Sequence, residues 1–176
     1  MTVSALGGTV TRAAGPREEG SVATATWSPD GDEIAVARGL SLAVVPLDGG
    51  VEHPVTDYTS SLTSCVWSPV SAHVVCVGGN ANYSSPGPTF GNLAPSSIVS
   101  INIEDGTTHE LMPPVAMNQS PVWSADGATL FFISNRDGTP DIYSVSVDEN
   151  TELVGEPERI TTGSNAHSFS ITADTR

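Results

Sequence analysis

The stretch "VWSADGATLFFISNRDGTPDIYSVSVD", Val122 to Asp148, carries the signals of three strands and two tight turns. Trp-Ser closes an apolar run, and two Asp-Gly pairs mark turns, since Gly adopts positive φ and Asp bonds its own following backbone. After the first turn "TLFFIS" is apolar, and after the second "DIYSVSV" alternates with a period of two. The stretch therefore predicts antiparallel strands that pair with their neighbours in sequence.

The same pattern recurs in two other places. "ATWSPDGDEIAVARGLSLAVVPLDGG" occupies Ala25–Gly50, and "CVWSPVSAHVVCVGG" at Cys65–Gly79 resumes after an insertion as "SSIVSINIEDG" at Ser96–Gly106. Four antiparallel strands in about 40 residues form the unit of a propeller blade. We predict structural roles for the recurring residues, with the tryptophans as wedges between blades. These residues are Trp27, Asp30, Gly31, Trp67, Trp123, Asp126, Gly127, Asp137 and Gly138.

The repeats predict an all-β chain, a β-propeller of four-stranded antiparallel blades with about three whole blades and a partial blade at each end. The predicted segments are an outer strand of a preceding blade with a linker at 1–20, blades at 21–60, 61–115 and 116–166, and the first strand of a truncated blade at 167–176. The middle blade carries a long inserted loop at 79–95, and Val70-Ser71 replaces its Asp-Gly turn. Closed propellers have typically 4 to 8 blades, so we expect missing blades of a longer propeller, or a second chain, to close the ring.

The order W-S-P-D-G, apolar strand, S-N-R-D-G and D-I-Y-x-V resembles the TolB-like, WD-repeat-like propeller repeat. Two further segments, "FGNLAPSSI" at Phe90–Ile98 and "GEPERITTGSNAHSFSITAD" at Gly155–Asp174, resemble the C-terminal sensor propeller of bacterial receptor-type serine/threonine protein kinases. The resemblance implies a periplasmic or otherwise extracytoplasmic sensor or scaffold domain. Related propellers also occur alone or ahead of peptidase domains.

The sequence lacks the motifs of the common catalytic sites: GxSxG, the Walker-type loop, HExxH, and the kinase HRD and DFG sets. We therefore expect no catalytic residue and no cofactor, and any kinase or peptidase activity would lie outside this chain. The favoured function is a non-catalytic module that binds a protein or a small ligand, as part of a larger bacterial protein. The alternatives are the substrate-gating propeller of a prolyl-oligopeptidase-like serine peptidase and a stand-alone periplasmic propeller that docks proteins.

The formal charge of the chain is −14, and its basic residues are six arginines without a lysine. Such a surface repels nucleic acid and anionic lipid, so we expect neither nucleic-acid binding nor direct membrane contact. No apolar run reaches the about 18 residues of a membrane span, and residues 1–17 lack the apolar centre of a signal peptide.

The cysteines and histidines do not form a metal-binding pattern, since the four histidines are scattered and no CxxC occurs. In a hairpin that places Trp67 opposite Val74, Cys65 faces Cys76 across the strands. A disulfide is one possibility there, but we expect two buried free thiols. The acidic turns around Asp30 and Asp137 are expected to be structural turns rather than calcium sites.

The loops between the second and third strands of each blade open on the same face as the loops that join successive blades, and this face commonly carries binding. We predict a partner-binding set there, consisting of Asn80, Asn82, Tyr83, Phe90, Asn92, Asn135 and Arg136. The alternative for the 79–95 insertion is a passive loop that covers a neighbouring blade. For Arg136 we expect a solvated pair with Asp137, and the alternative is a grip on an anionic ligand.

Overall fold

A computed structural model describes residues 24–79 and 94–172. The predicted segment 1–20 and the predicted binding residues Asn80, Asn82, Tyr83, Phe90 and Asn92 lie outside these ranges. The described residues form twelve strands in three four-stranded antiparallel sheets, and each sheet is built from four strands consecutive in sequence. No helix in these ranges is long and apolar enough to cross a membrane. The all-β fold of antiparallel four-stranded blades is confirmed.

Each blade has its strands in chain order. Blade 1 consists of β1 (Thr24–Trp27), β2 (Glu33–Arg38), β3 (Ser41–Pro46) and β4 (His53–Asp57). Blade 2 consists of β5 (Leu62–Trp67), β6 (His73–Gly78), β7 (Ser97–Asn102) and β8 (Thr108–Met112). Blade 3 consists of β9 (Asn118–Trp123), β10 (Thr129–Ser134), β11 (Asp141–Val147) and β12 (Leu153–Arg159). Because β1 contacts β5 and β5 contacts β9, the first strands lie at the side where the blades converge.

The Trp-Ser-x-Asp-Gly motif forms the turn between the first and second strands. In blade 1 the Asp30 carboxylate accepts hydrogen bonds from the Ser28 hydroxyl (2.6 Å) and the Asp32 amide (3.1 Å). In blade 3 Asp126 accepts the equivalent bond from the Ser124 hydroxyl (2.6 Å). These bonds close the turn locally, and Gly follows because the next residue has a positive φ.

The interiors lie between adjacent blades. Trp67 packs on blade 1 and Trp123 on blade 2, and each is only 9% exposed. Trp27 occupies the same position in blade 1 but is 52% exposed. The predicted wedge role fits two of the three tryptophans, because no blade precedes blade 1 within the described residues.

The hairpin of β5 and β6 has the predicted register, with Trp67 paired to Val74. Cys65 and Cys76 are buried and joined by a disulfide, with their Cα atoms 4.1 Å apart. The prediction of two free thiols is therefore wrong. The physical reason is that the two cysteines lie on neighbouring strands close enough for their sulfurs to bond, with Cys65 inside the register shift between Thr63 and Val66.

The first strand predicted at 167–176 is not formed over residues 167–172, and 173–176 lie outside the described residues. The strand that precedes it, β12, is the last strand of its sheet and pairs only with β11. A first strand of a new blade needs a second strand to accept and donate its backbone hydrogen bonds. The described residues supply no such partner after β12.

Blade 2 and blade 3 touch through their first turns, where Val70 replaces the repeat aspartate. A Cβ on Gly127, whose φ is +69°, would lie 2.4 Å from a methyl carbon of Val70. Gly31 has a similar φ of +82° and open space around it. We expect Gly127→Ala to lower the free energy of unfolding by about 1 kcal/mol more than Gly31→Ala does, because of this overlap. Chemical denaturation of the two variants measures the difference.

The companion change Val70→Ala provides the control for the overlap. In a protein that already carries Val70→Ala, Gly127→Ala should lower the free energy of unfolding by the same amount as Gly31→Ala does. Only the penalty of a positive φ, which both glycines share, then remains. An unchanged cost in the double variant would show that Val70 is not the cause.

Candidate binding face

One end of the three blades carries both the loops within blades and the loops between them; we name it the loop face. Its described residues are 39–40, 58–61, 79, 94–96, 113–117 and 135–140. The opposite end, which we name the turn face, consists of residues 28–32, 47–52, 68–72, 103–107, 124–128 and 148–152. The two faces follow from the up-and-down order of the strands in each sheet.

Main-chain hydrogen bonds connect the two kinds of loop on the loop face. The amide of Tyr58 donates to the carbonyl of Leu40 (2.7 Å), and the amide of Leu62 to that of Gly39 (2.8 Å). The amide of Gly79 donates to Ser61 (2.9 Å) at the start of the long insertion. The bases of these loops are therefore fixed to one another and to the sheet.

A buried pair, Ser96 and Asn118, joins blade 2 to blade 3 below this face. The Ser96 hydroxyl donates to the Asn118 carbonyl (2.6 Å), and the Asn118 side-chain amide donates to the Ser96 carbonyl (2.7 Å). The Asn118 amide also donates to the carbonyls of Pro113 (3.4 Å) and Ala116 (3.3 Å). Sequence reasoning missed both residues, since neither belongs to the repeated motif.

Asn135 lies on the loop face, where it was predicted to bind a partner. Its side-chain oxygen accepts a hydrogen bond from the backbone amide of Met117 (2.9 Å), and its backbone amide donates to the Met117 carbonyl (3.2 Å). Asn135 therefore ties the loop of blade 3 to the loop that joins blades 2 and 3. Its role in partner binding stays a prediction.

Arg136 lies half-buried over two aromatic rings. Its guanidinium carbon is 5.1 Å from the centroid of Phe132 and 5.0 Å from that of Tyr143, distances at which a cation is attracted to the ring faces. The expected partner Asp137 instead accepts a hydrogen bond from the Tyr143 hydroxyl (2.8 Å). Burial raises the pKa of Tyr143 to about 12, and the Asp137 bond adds to the rise, so this phenol stays a donor at physiological pH.

The polar contacts of Arg136 are all with uncharged atoms. Its Nε donates to the Ser134 hydroxyl (3.2 Å), and one terminal nitrogen contacts the Asn118 side-chain oxygen (3.4 Å) and the Met112 sulfur (3.3 Å). Burial lowers the pKa of Arg136 from its usual value, though a guanidinium stays charged. Arg136 thus lies on the loop face without a carboxylate in direct contact among the described residues, while the Asp137 and Glu156 carboxylates act on it at longer range and raise its pKa.

Asp141, at the start of β11, is a fully buried carboxylate surrounded by donors. Its oxygens accept hydrogen bonds from Thr139, Arg159, Thr161, Gly163 and Ser164. Burial raises the pKa of Asp141, but the bonds from Ser164, Arg159 and Thr139 outweigh burial and hold the pKa well below its usual range. This carboxylate fixes residues 159–164 against blade 3.

The other repeat residues lie in tight turns, with Asp30, Gly31, Asp126 and Gly127 on the turn face and Asp137 and Gly138 on the loop face. Gly31, Gly127 and Gly138 all have positive φ. Within the described ranges, no group of three His, Cys, Asp or Glu side chains is arranged to hold a metal ion. The chemistry that the described loop face offers is therefore a stacked guanidinium, fixed amides and loop backbone.

No protein-family model matches the sequence, and no curated protein matches it. Solved structures do match. TolB from Acinetobacter baumannii is 16% identical, with a TM-score of 0.61 over 82% of this chain and 33% of its own. A propeller in a nidogen/laminin complex is 7% identical, with a TM-score of 0.60 over 82% of this chain and 49% of its own. A puromycin-hydrolyzing peptidase from Mycobacterium tuberculosis is 18% identical, with a TM-score of 0.58 over 79% of this chain and 23% of its own.

The chain thus spans a third of the length of TolB and less than half of the other two. At these identities the likeness concerns the fold. Three antiparallel four-stranded sheets, arranged with their first strands together, superpose on part of each of these propellers. The described residues therefore have the β-propeller fold, as three four-stranded blades similar to those of TolB.

Proposed function

We propose that this chain is a non-catalytic binding module that holds a protein partner on its loop face, as part of a larger bacterial protein. The observation that carries the proposal is the set of main-chain hydrogen bonds that join loops within blades to loops between blades. A rigid sheet that fixes several loop bases at one end is the usual way in which a fold presents a variable binding surface. The turns on the turn face resemble one another more closely, because the same Ser-x-Asp turn occurs there in blades 1 and 3.

The proposal extends to the parent protein. The motifs at 90–98 and 155–174 favour the sensor propeller of a receptor-type serine/threonine kinase, with the remaining blades or a second chain packed against the exposed Trp27. The Cys65–Cys76 disulfide supports an extracytoplasmic location, since disulfides persist mainly in oxidising compartments. The peptidase alternative predicts a hydrolase domain with a GxSxG motif in the same polypeptide, and the peptidase structure among the similar folds keeps this alternative open to test.

Site-specific photo-crosslinking tests the binding face. Leu40 and Val115 are exposed apolar residues on the loop face, and Val51 and Val70 are exposed apolar residues on the turn face. A benzophenone amino acid at each of these four positions samples both ends of the blades. We expect cells of the source bacterium to yield the same protein adduct from positions 40 and 115, identified by mass spectrometry.

Positions 51 and 70 serve as the control. Adducts from these two positions at the same yield would contradict a loop-face site, and adducts from them alone would place the binding surface on the turn face. A variant whose circular dichroism spectrum or thermal midpoint departs from the wild type is excluded before crosslinking, so that a folding defect does not count as a loss of binding.

A further inference from the structure

The described arginines differ in whether a carboxylate lies within ion-pair distance of the guanidinium. Arg38 pairs with Glu52, and Arg159 pairs with Asp141. Arg136 is half-buried on the loop face, yet within the part of the chain that the structure describes it has no carboxylate at ion-pair distance. The carboxylates of Asp137 and Glu156 act on Arg136 only from beyond that distance. A partly desolvated charge without a directly contacting opposite charge is costly.

The guanidinium of Arg136 is held in one orientation by three kinds of contact. Two ring faces lie beneath it, at 5.1 Å and 5.0 Å. Its Nε donates to Ser134, and Asn118 accepts from one terminal nitrogen. Asn118 is itself fixed by its bonds to Ser96. The orientation of the guanidinium is therefore set before any ligand arrives, which lowers the entropic cost of binding.

We infer that Arg136, held in place by Asn118 and Ser134, is the anchor of a carboxylate-binding subsite on the loop face that a carboxylate of the bound partner uses. A guanidinium N–H donates a charge-assisted hydrogen bond to a carboxylate, and the contacts of Arg136 given above use Nε and one terminal nitrogen but not the other terminal nitrogen. A carboxylate is favoured over a phosphate because a chain of net charge −14 repels dianions more strongly than monoanions. This inference rests on the proposed loop-face function and names the chemistry of that site.

The subsite also explains how a chain of negative net charge binds a negatively charged group of its partner. An acidic surface rejects acidic partners in general. A single oriented guanidinium admits a carboxylate only where the partner presents it against blade 3, beside the Phe132 and Tyr143 rings. The partner is thus recognised by the position of one carboxylate rather than by its overall charge.

Nuclear magnetic resonance of the intact chain tests the inference without any variant. The arginine Nε–Hε signals are followed while sodium acetate replaces sodium chloride at constant ionic strength and pH. We expect the Arg136 signal to shift in a saturable way with acetate and the Arg38 signal, which belongs to a paired guanidinium, to stay in place. Equal shifts of both signals, or a shift that chloride reproduces, would overturn the inference.

Two further probes separate the sources of the carboxylate. N-acetylalanine represents a peptide C-terminus, and N-acetylaspartic acid α-amide represents an acidic side chain. A saturable Arg136 shift with either supports the subsite, and their relative strength identifies the source. N-acetylalaninamide, which lacks the charge, should give no shift, and a shift of the same size with it would show that the charge is not what binds.

The variant Arg136→Gln should weaken acetate binding at least about tenfold, as read from the backbone amide signals of residues 134–138. Arg38→Gln removes the same charge elsewhere and should leave acetate binding unchanged. Loss of acetate binding in both variants would point to a general charge effect and overturn the subsite. If the crosslinked partner binds the loop face but acetate leaves the Arg136 signal unchanged, the proposed function stands and the carboxylate subsite fails.

Discussion

Asp141→Asn is expected to lower the thermal unfolding midpoint by roughly 10 °C, because it leaves a buried positive partner and several donors without their acceptor. The carboxylate is fully buried and accepts from Arg159, from the Ser164 amide at 2.8 Å and from the Gly163 amide at 3.0 Å. An asparagine has the same shape but presents one oxygen and an NH₂ group that faces donors. Differential scanning calorimetry at pH 7 measures the midpoint.

The pH dependence of the same variant gives a second, independent reading. Hydrogen bonds hold the pKa of Asp141 in the folded protein below the value of about 3.9 that an unfolded chain has. The ionised carboxylate therefore contributes its stability above about pH 4, and that stability is lost as the pH falls below 4 toward the folded-state pKa. The gap between wild type and Asp141→Asn should be constant from pH 7 to about 5 and narrow below about pH 4.

Asp137→Asn is the matched control. Asp137 is an exposed carboxylate of the same blade, four positions away, with a single side-chain bond from Tyr143. Its substitution should move the midpoint by no more than a few degrees, since one exposed hydrogen bond contributes little. Equal losses in the two variants, or a gap for Asp141→Asn that stays the same down to pH 3, would show that the buried carboxylate is not the source of the stability.

The blade architecture was predictable because its signals are local. A strand that ends in Trp-Ser, a Ser-x-Asp turn and an alternating strand each depend on neighbours in sequence, and the structure shows the bonds from Ser28 to Asp30 and from Ser124 to Asp126 that explain the motif. The pairing of Trp67 with Val74 followed from the alternation of the same hairpin. Because the pattern occurs in three units, a strand with a weak signal in one unit is identified by comparison with the other two.

The site was less predictable because it depends on contacts between distant segments. Asp141 contacts Ser164 only because the chain after β12 folds back over blade 3. The sequence around the turn does not predict this contact. Arg136 stands next to Asp137 in sequence, but the cross-strand pair of Phe132 and Tyr143 offers it a larger contact. Side-chain direction at a loop is set by the packing around it, and that packing is not contained in the repeat.

The disulfide is another feature that could not be predicted from local sequence patterns. The hairpin with Trp67 opposite Val74 was considered from the sequence and is observed, whereas the register shift at Cys65 and the bond to Cys76 were not predicted. Strand pairing follows from the alternation of side chains along each strand. Whether two opposed thiols oxidise depends on their separation and on the compartment, and the sequence of the hairpin reports neither.

Removal of the disulfide is expected to have the second large effect. The bridge closes a loop with a sequence separation of 11. The entropy of closing a loop of this size in the unfolded chain corresponds to about 3 kcal/mol. The variant Cys65→Ala/Cys76→Ala also loses two buried side chains of the interior between blades 1 and 2. The thermal midpoint of the double variant should therefore fall by at least roughly 6–12 °C relative to the oxidised wild type.

Wild-type protein that has been unfolded, reduced and refolded in reductant separates the bridge from the packing, since it keeps both sulfur atoms and lacks only the bond. We expect its midpoint to lie between those of the oxidised wild type and the double variant, which itself should not respond to reductant. Ellman's reagent should detect no thiol in the oxidised chain under denaturing conditions and two thiols after reduction. Two thiols before reduction, together with a midpoint that reductant leaves unchanged, would restore the interpretation of Cys65 and Cys76 as buried free cysteines, and would remove the support that the bridge gives to an extracytoplasmic location.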